Sequence, residues 1–218
     1  MKTKQVNSKE RVNKFGEVYT SETEVNNMID IIKDESLRID SRFLEPACGN
    51  GNFLTNVLSR KLNLIEKKYK KSQVEYERYS IQAVSSLYGI DIIEDNVKNC
   101  IKRLFNLLDH NYEKIFKKKK KIDFLNVVKF ILSLNIVWGN ALSLKTEKEK
   151  KPIIFSEWSF VSGSLIKRTD YIFSDLISYQ PFDKGTLFSD LGEKVIIPEP
   201  KYSYKPTHYL NLENYVKE

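Results

Sequence analysis

The sequence predicts an α/β protein: a parallel sheet with helices on both faces, incomplete towards its C-terminal side. Three observations lead there. Phe43–Leu54, FLEPACGNGNFL, reads as a short apolar strand, a tight glycine turn and the start of an amphipathic helix. Two more short apolar runs, LYGIDI at Leu87–Ile92 and NIVWGNAL at Asn135–Leu142, alternate with long helical patterns, as parallel sheets require. The three strand ends carry Glu45, Asp91 and Asn140, and ligands of open α/β sheets sit at the carboxyl ends of strands.

Taken in order, residues 1–14 are polar and basic and read as a loose arm. Ser21 is a credible N-cap with Glu24 three residues on, the capping-box spacing. Val25, Met28, Ile29 and Ile32 then form one helical stripe. After the glycine turn, Asn52–Tyr69 and Ser72–Ser86 read as helices, and Leu87–Ile92 as a buried strand. Glu94–Leu108 is amphipathic, with Cys100 on its apolar face. Lys117–Lys121, five consecutive lysines, reads as a solvated loop. Ile122–Leu134 is a further helix leading into Asn135–Leu142. Pro152–Val161 reads as a strand and turn, and Thr169–Ile177 as one strand or helix. Residues 15–180 are taken as one domain. Residues 181–218, with Pro198, Pro200 and Pro206 among scattered tyrosines, read as an extended tail whose aromatics either pack back or dock a partner.

Composition narrows the function. Hydrophobic residues make up 41% and charged ones 30%, a soluble globular balance, and no apolar run approaches membrane-spanning length. The formal net charge of +7 is compatible with a polyanionic partner. Cys48 and Cys100 are too few for a disulfide framework, and a reducing cytoplasm is the expected setting. With only His110 and His208, a histidine base is not expected. The G-x-G turn lacks the third glycine of the dinucleotide fingerprint, which disfavours a nicotinamide-dependent oxidoreductase. An acidic residue at its entrance suits a cationic or hydroxyl-bearing ligand better than a pyrophosphate.

EPACGNGNFL closely resembles the D/E-P-A-C-G-x-G-x-F-L signature of S-adenosylmethionine-dependent N6-adenine DNA methyltransferases of the restriction–modification type. The segment Gly16, Val18, Tyr19 and Thr20 resembles the G-x-V-Y-T-P that precedes it in that family, with Ser21 in the place of proline. The resemblance implies a Rossmann-like methyltransferase core and S-adenosyl-L-methionine as cofactor. It implies that Glu45, Pro46, Ala47, Cys48, Gly49, Gly51 and Phe53, with Tyr19 and Thr20, surround the methionine end. Asp91 would hold the ribose, Ile92 would pack on the adenine, and Asn140 and Ala141 would meet the adenine edge, Asn140 accepting through its amide oxygen.

The same resemblance implies a D/N/S-P-P-Y/F signature that holds the flipped adenine. No Pro-Pro occurs in the chain. Laid over PIIFSEWSFV, the signature would put Glu157 at the polar position and Phe160 at the aromatic one, with Trp158 and Ser159 replacing the prolines. SYQPF at 178–182 is a second candidate that keeps one proline. The stretch after Val161 is too short for the further strands and target-recognition domain that the resemblance implies. The expectation is therefore cofactor binding, weak sequence-indifferent contact with DNA, and little methylation without a second subunit. A non-catalytic cofactor-binding module is the alternative.

Overall fold

Ser21 starts the first helix through the reciprocal cap that its spacing predicts. Its side chain accepts from the Glu24 N–H at 3.3 Å, and its own N–H donates to the Glu24 carboxylate at 2.9 Å. In the computed structural model, which describes residues 20–177 and 199–214, helix α1 spans Glu22–Ile31 and buries Val25 and Ile29. Met28 and Ile32, the rest of the expected stripe, stay largely exposed. The N-terminal arm, Tyr19 and the SYQPF candidate lie outside the described residues.

A short helix α2 (Lys33–Ser36) leads to strand β1 (Phe43–Glu45). Helix α3 (Asn52–Tyr69) buries Leu54, Val57, Leu58, Leu62 and Ile65, one face at helical spacing. Helix α4 (Gln73–Ser85) follows, capped by Ser72, and then strand β2 (Leu87–Asp91). Helix α5 runs Glu94–Phe116, two turns past the expected end, because Leu104, Leu108 and Tyr112 continue its buried face in steps of four. Helix α6 (Ile122–Asn135) precedes strand β3 (Ile136–Asn140). A two-residue strand β4 (Lys145–Thr146) closes the edge antiparallel to β3.

The sheet order is β1-β2-β3-β4, with β1 and β3 both parallel to β2. Phe43, Leu87 and Ile136 join Leu54, Leu104 and Val128 in one core on the helical side. Ile90 and its neighbours Tyr88 and Val137 meet Ile153, Phe155 and Phe173 on the other. Both faces are therefore covered, as a parallel sheet needs. The second cover consists of a hairpin, β5 (Ile154–Ser162) and β6 (Leu165–Ile172), and helix α7 (Phe173–Ile177). Thr169–Ile177 thus supplies a strand end and a helix in succession.

The described part of the C-terminal tail is extended and lies on β6. Strands β7 (Tyr202–Ser203) and β8 (Thr207–His208) pair with it antiparallel. Tyr204, Tyr209 and Leu212 are buried, so these aromatics pack back on the domain. The Tyr209 hydroxyl donates to fully buried Glu77 at 2.7 Å, beside Tyr112 at 2.5 Å and Lys121 at 2.8 Å. Lys120 pairs with Asp109 at 2.7 Å. The lysine run is thus partly structural rather than only a solvated loop. Buried Asn135 pins the layers together: its amide donates to the Ser85 and Leu87 carbonyls at 3.1 Å each and accepts from the Trp158 indole at 3.2 Å.

Candidate cofactor site

The turn after β1 is built against β2. The Cys48 N–H donates to the Ile90 carbonyl at 2.9 Å, and the Gly51 N–H to the Cys48 carbonyl at 2.8 Å. Gly49 and Gly51 lie at φ 52° and 85°, where a side chain is strained. Space also demands glycine at 51: a Cβ there would sit 2.6 Å from the Cys100 Sγ of α5. Cys100 is core, as its pattern predicts. Its contact with Cys48, together with burial, pushes the Cys48 thiol up, so this pair is not poised as a nucleophile.

Asp91 is nearly buried and holds the turn from the end of β2. One oxygen accepts from the Gly49 N–H at 2.8 Å; the other accepts from the Ile93 N–H at 2.8 Å and the Asn96 amide at 3.2 Å. A carboxylate offers about four acceptor positions, so roughly one remains for a ligand. Ile92, next along, is exposed, and the Trp138 indole donates to its carbonyl at 3.0 Å. Trp138 thereby fixes the turn after β2 from β3, a role its strand pattern does not signal.

A cavity of about 150 Å³ lies over the turn. Thr20, Glu45, Ala47, Cys48, Gly49 and Phe53 line it, together with Val25, Met28, Asn50 and Asn52. Pro46 and Gly51 shape the turn without lining the cavity, and Asp91, Ile92, Asn140 and Ala141 lie outside its lining. Burial raises the Glu45 carboxyl above its usual range, opposed only by the Ala47 N–H. No ion pair forms at Glu45 among the described residues. Asn140 departs from its expected role: its amide oxygen accepts from the Leu142 and Ser143 N–H groups at 2.8 and 3.2 Å, closing the turn after β3. Its amide nitrogen, rather than its oxygen, is left for a ligand.

The structure does not bring Glu157 and Phe160 to this cavity. The turn expected within Pro152–Val161 does not form, because β5 continues to Ser162 with Glu157 opposite Thr169 in mid-ladder. Glu157 pairs with Arg42, ahead of β1, and lines a separate cavity of about 480 Å³ with Tyr88, Phe155, Tyr171 and Phe173. The Phe160 ring packs under the Arg78 guanidinium at 5.4 Å.

Thr20 marks the start of a match to a known family. The model described as MmeI, DNA-methyltransferase domain, covers residues 20–173, well over half of the chain. The chain belongs to this MmeI DNA-methyltransferase domain family. The matched stretch holds the glycine turn, Asp91, Asn140 and the hairpin, and leaves out Tyr19. No curated protein and no solved structure matches. As an MmeI-type domain it is a DNA methyltransferase of the restriction–modification kind, and DNA is its substrate class. No described helix is long and apolar enough to cross a membrane.

Proposed function

We propose that this MmeI-type domain binds S-adenosyl-L-methionine at the Glu45–Phe53 turn and serves methylation of adenine N6 in DNA. The observation that carries the reading is Glu45, a half-buried carboxylate with no ion pair among the described residues, facing a cavity lined in part by left-handed Gly49. An ammonium would relieve its desolvation. At about 150 Å³ the cavity suits the methionine end, and the nucleoside would follow the strand ends. There the remaining acceptor position of Asp91 would take a ribose hydroxyl, and exposed Ile92 would offer an apolar surface to adenine. The Asn140 amide nitrogen suits a ring-nitrogen acceptor.

Bound there, the cofactor supplies an electrophilic sulfonium methyl. The chain's part is to bind and align, which for an amine nucleophile matters more than a strong base. Glu157 is held by Arg42 and Phe160 by Arg78, so neither is free to receive a flipped base. The isolated chain is therefore expected to contact DNA weakly, through salt-sensitive lysine–phosphate contacts, and to methylate little without a second subunit. The test is transfer of labelled methyl groups to mixed-sequence DNA, with digestion and nucleoside analysis. Trace N6-methyladenine, rising when a partner subunit is supplied, is the expected result. Label in cytosine would overturn the adenine assignment, and abundant N6-methyladenine from the chain alone would overturn the need for a partner.

A further inference from the structure

We infer that Arg103 is a positioning residue for the cofactor turn, acting through the two asparagines of G-N-G-N; the inference rests on reading that turn as the cofactor site. Arg103 lies on α5, three residues after Cys100, so both project from the same helix face. Cys100 fills the space beside Gly51, and Arg103 reaches the side chains on either side of it. Its Nη1 faces three oxygens: the Asn50 carbonyl at 2.9 Å, the Asn50 Oδ1 at 2.8 Å and the Asn52 Oδ1 at 2.7 Å.

A guanidinium only donates, which settles the Asn52 amide: its oxygen must face Arg103 and its nitrogen must face away. That nitrogen donates to the Thr20 carbonyl at 3.1 Å. A continuous chain of hydrogen bonds therefore runs from α5 through Asn52 to Thr20. Asn50, Asn52 and Thr20 all line the cavity, so Arg103 sets its floor and one wall without touching its contents. A turn with two left-handed glycines has conformational freedom to lose, and an external brace lowers the cost of ordering it when ligand binds. Arg103 forms no ion pair among the described residues, which leaves its charge to these oxygens, where hydrogen bonds are strongest.

The experiment compares wild type, Arg103→Met, Arg103→Lys and Asn52→Ala. Deuterium exchange of the turn amides in the ligand-free protein is followed by calorimetry with S-adenosylmethionine. Arg103→Met should speed exchange at the turn by about 10- to 100-fold, the range for one charged hydrogen bond, with exchange in α6 and β5 unchanged. Cofactor affinity should fall by a similar factor, and Arg103→Lys should restore part of both. Asn52→Ala should loosen the turn and the start of α1 while leaving Arg103 in place. Unchanged exchange at the turn in Arg103→Met would overturn the inference. So would exchange rising throughout the molecule in every variant, since Arg103 would then be a general structural residue. If wild type binds no S-adenosylmethionine yet Arg103→Met still loosens the turn, the brace stands and the cofactor reading falls.

Discussion

Between Thr20 and Asn140, buried and half-buried polar groups hold a turn and leave one carboxylate open. Asp91 grips Gly49 and Ile93, Arg103 grips Asn50 and Asn52, and Glu45, with no ion pair among the described residues, faces a cavity. Among the described residues of the hairpin and tail, polar groups satisfy one another. Asp170, almost fully buried, accepts from Arg168 twice at 2.7 Å, from the Ser156 hydroxyl at 2.7 Å and from the Tyr204 hydroxyl at 3.1 Å. The Arg168 guanidinium lies 4.5 Å from the Tyr204 ring centroid and 5.7 Å from that of Trp158. A closed network of this kind rigidifies, whereas a buried group without a partner is left with its desolvation cost. On the proposed reading the helical half holds the site, and the hairpin half covers the other face of the sheet.

The largest expected effect breaks the cover and spares the site. Asp170→Ala leaves the Arg168 charge buried without its partner and should cost about 3–5 kcal/mol in urea unfolding. Cofactor affinity of the folded fraction should be unchanged. Gly51→Ala tests the opposite half. Its φ of 85° and the 2.6 Å approach to Cys100 Sγ combine strain with overpacking, for a loss of about 3 kcal/mol. Here cofactor affinity should fall with stability, because the turn itself is displaced.

Much of the helical half was legible because local pattern and tertiary role agree there. Asn52–Tyr69 shows its buried face at helical spacing, Ser21 and Glu24 cap as their spacing requires, and the three strands end at Glu45, Asp91 and Asn140. The hairpin was read differently because Ser156-Glu157-Trp158-Ser159-Phe160 carries no residue that forces either a turn or a ladder. Its register is set by the neighbouring strand β6 across the Gly163-Ser164 turn, and Glu157 is claimed by Arg42, a partner distant in sequence. Arg103 was invisible for a related reason: an arginine on an amphipathic helix looks solvated until the turn it reaches is in place. Asn140 shows a third limit, since one amide can serve its own turn or a ligand and sequence alone does not choose.

Lys61 sharpens the comparison through pH. It is fully buried behind β1, donating to the Ile39 carbonyl at 3.1 Å, the Ser41 carbonyl at 2.5 Å and the Ser86 hydroxyl at 2.6 Å. Burial pushes its pKa down to about 7. Above that pH the folded lysine is neutral while the unfolded one still holds its proton, so unfolding takes up a proton and stability rises with pH. The window runs from about 7 to the unfolded value near 10.4, at no more than about 1.4 kcal/mol per pH unit. Urea titrations at pH 7 and 9 should show this rise, and Lys61→Met should flatten it. The smallest effect belongs to Glu157→Ala. Its ion pair with Arg42 is partly exposed, so the loss should stay within about 1 kcal/mol, with cofactor affinity unaltered. A large loss of affinity would return Glu157 to the site.

Calorimetric titration of the folded protein with S-adenosylmethionine tests the division into site and cover most directly, repeated on Asp91→Ala and Asp170→Ala. Saturable binding by wild type is expected, weakened by about 1.5–3 kcal/mol in Asp91→Ala and unchanged in folded Asp170→Ala. No heat with S-adenosylmethionine alongside saturable binding of NAD, or equal affinity in wild type and Asp91→Ala, would contradict it.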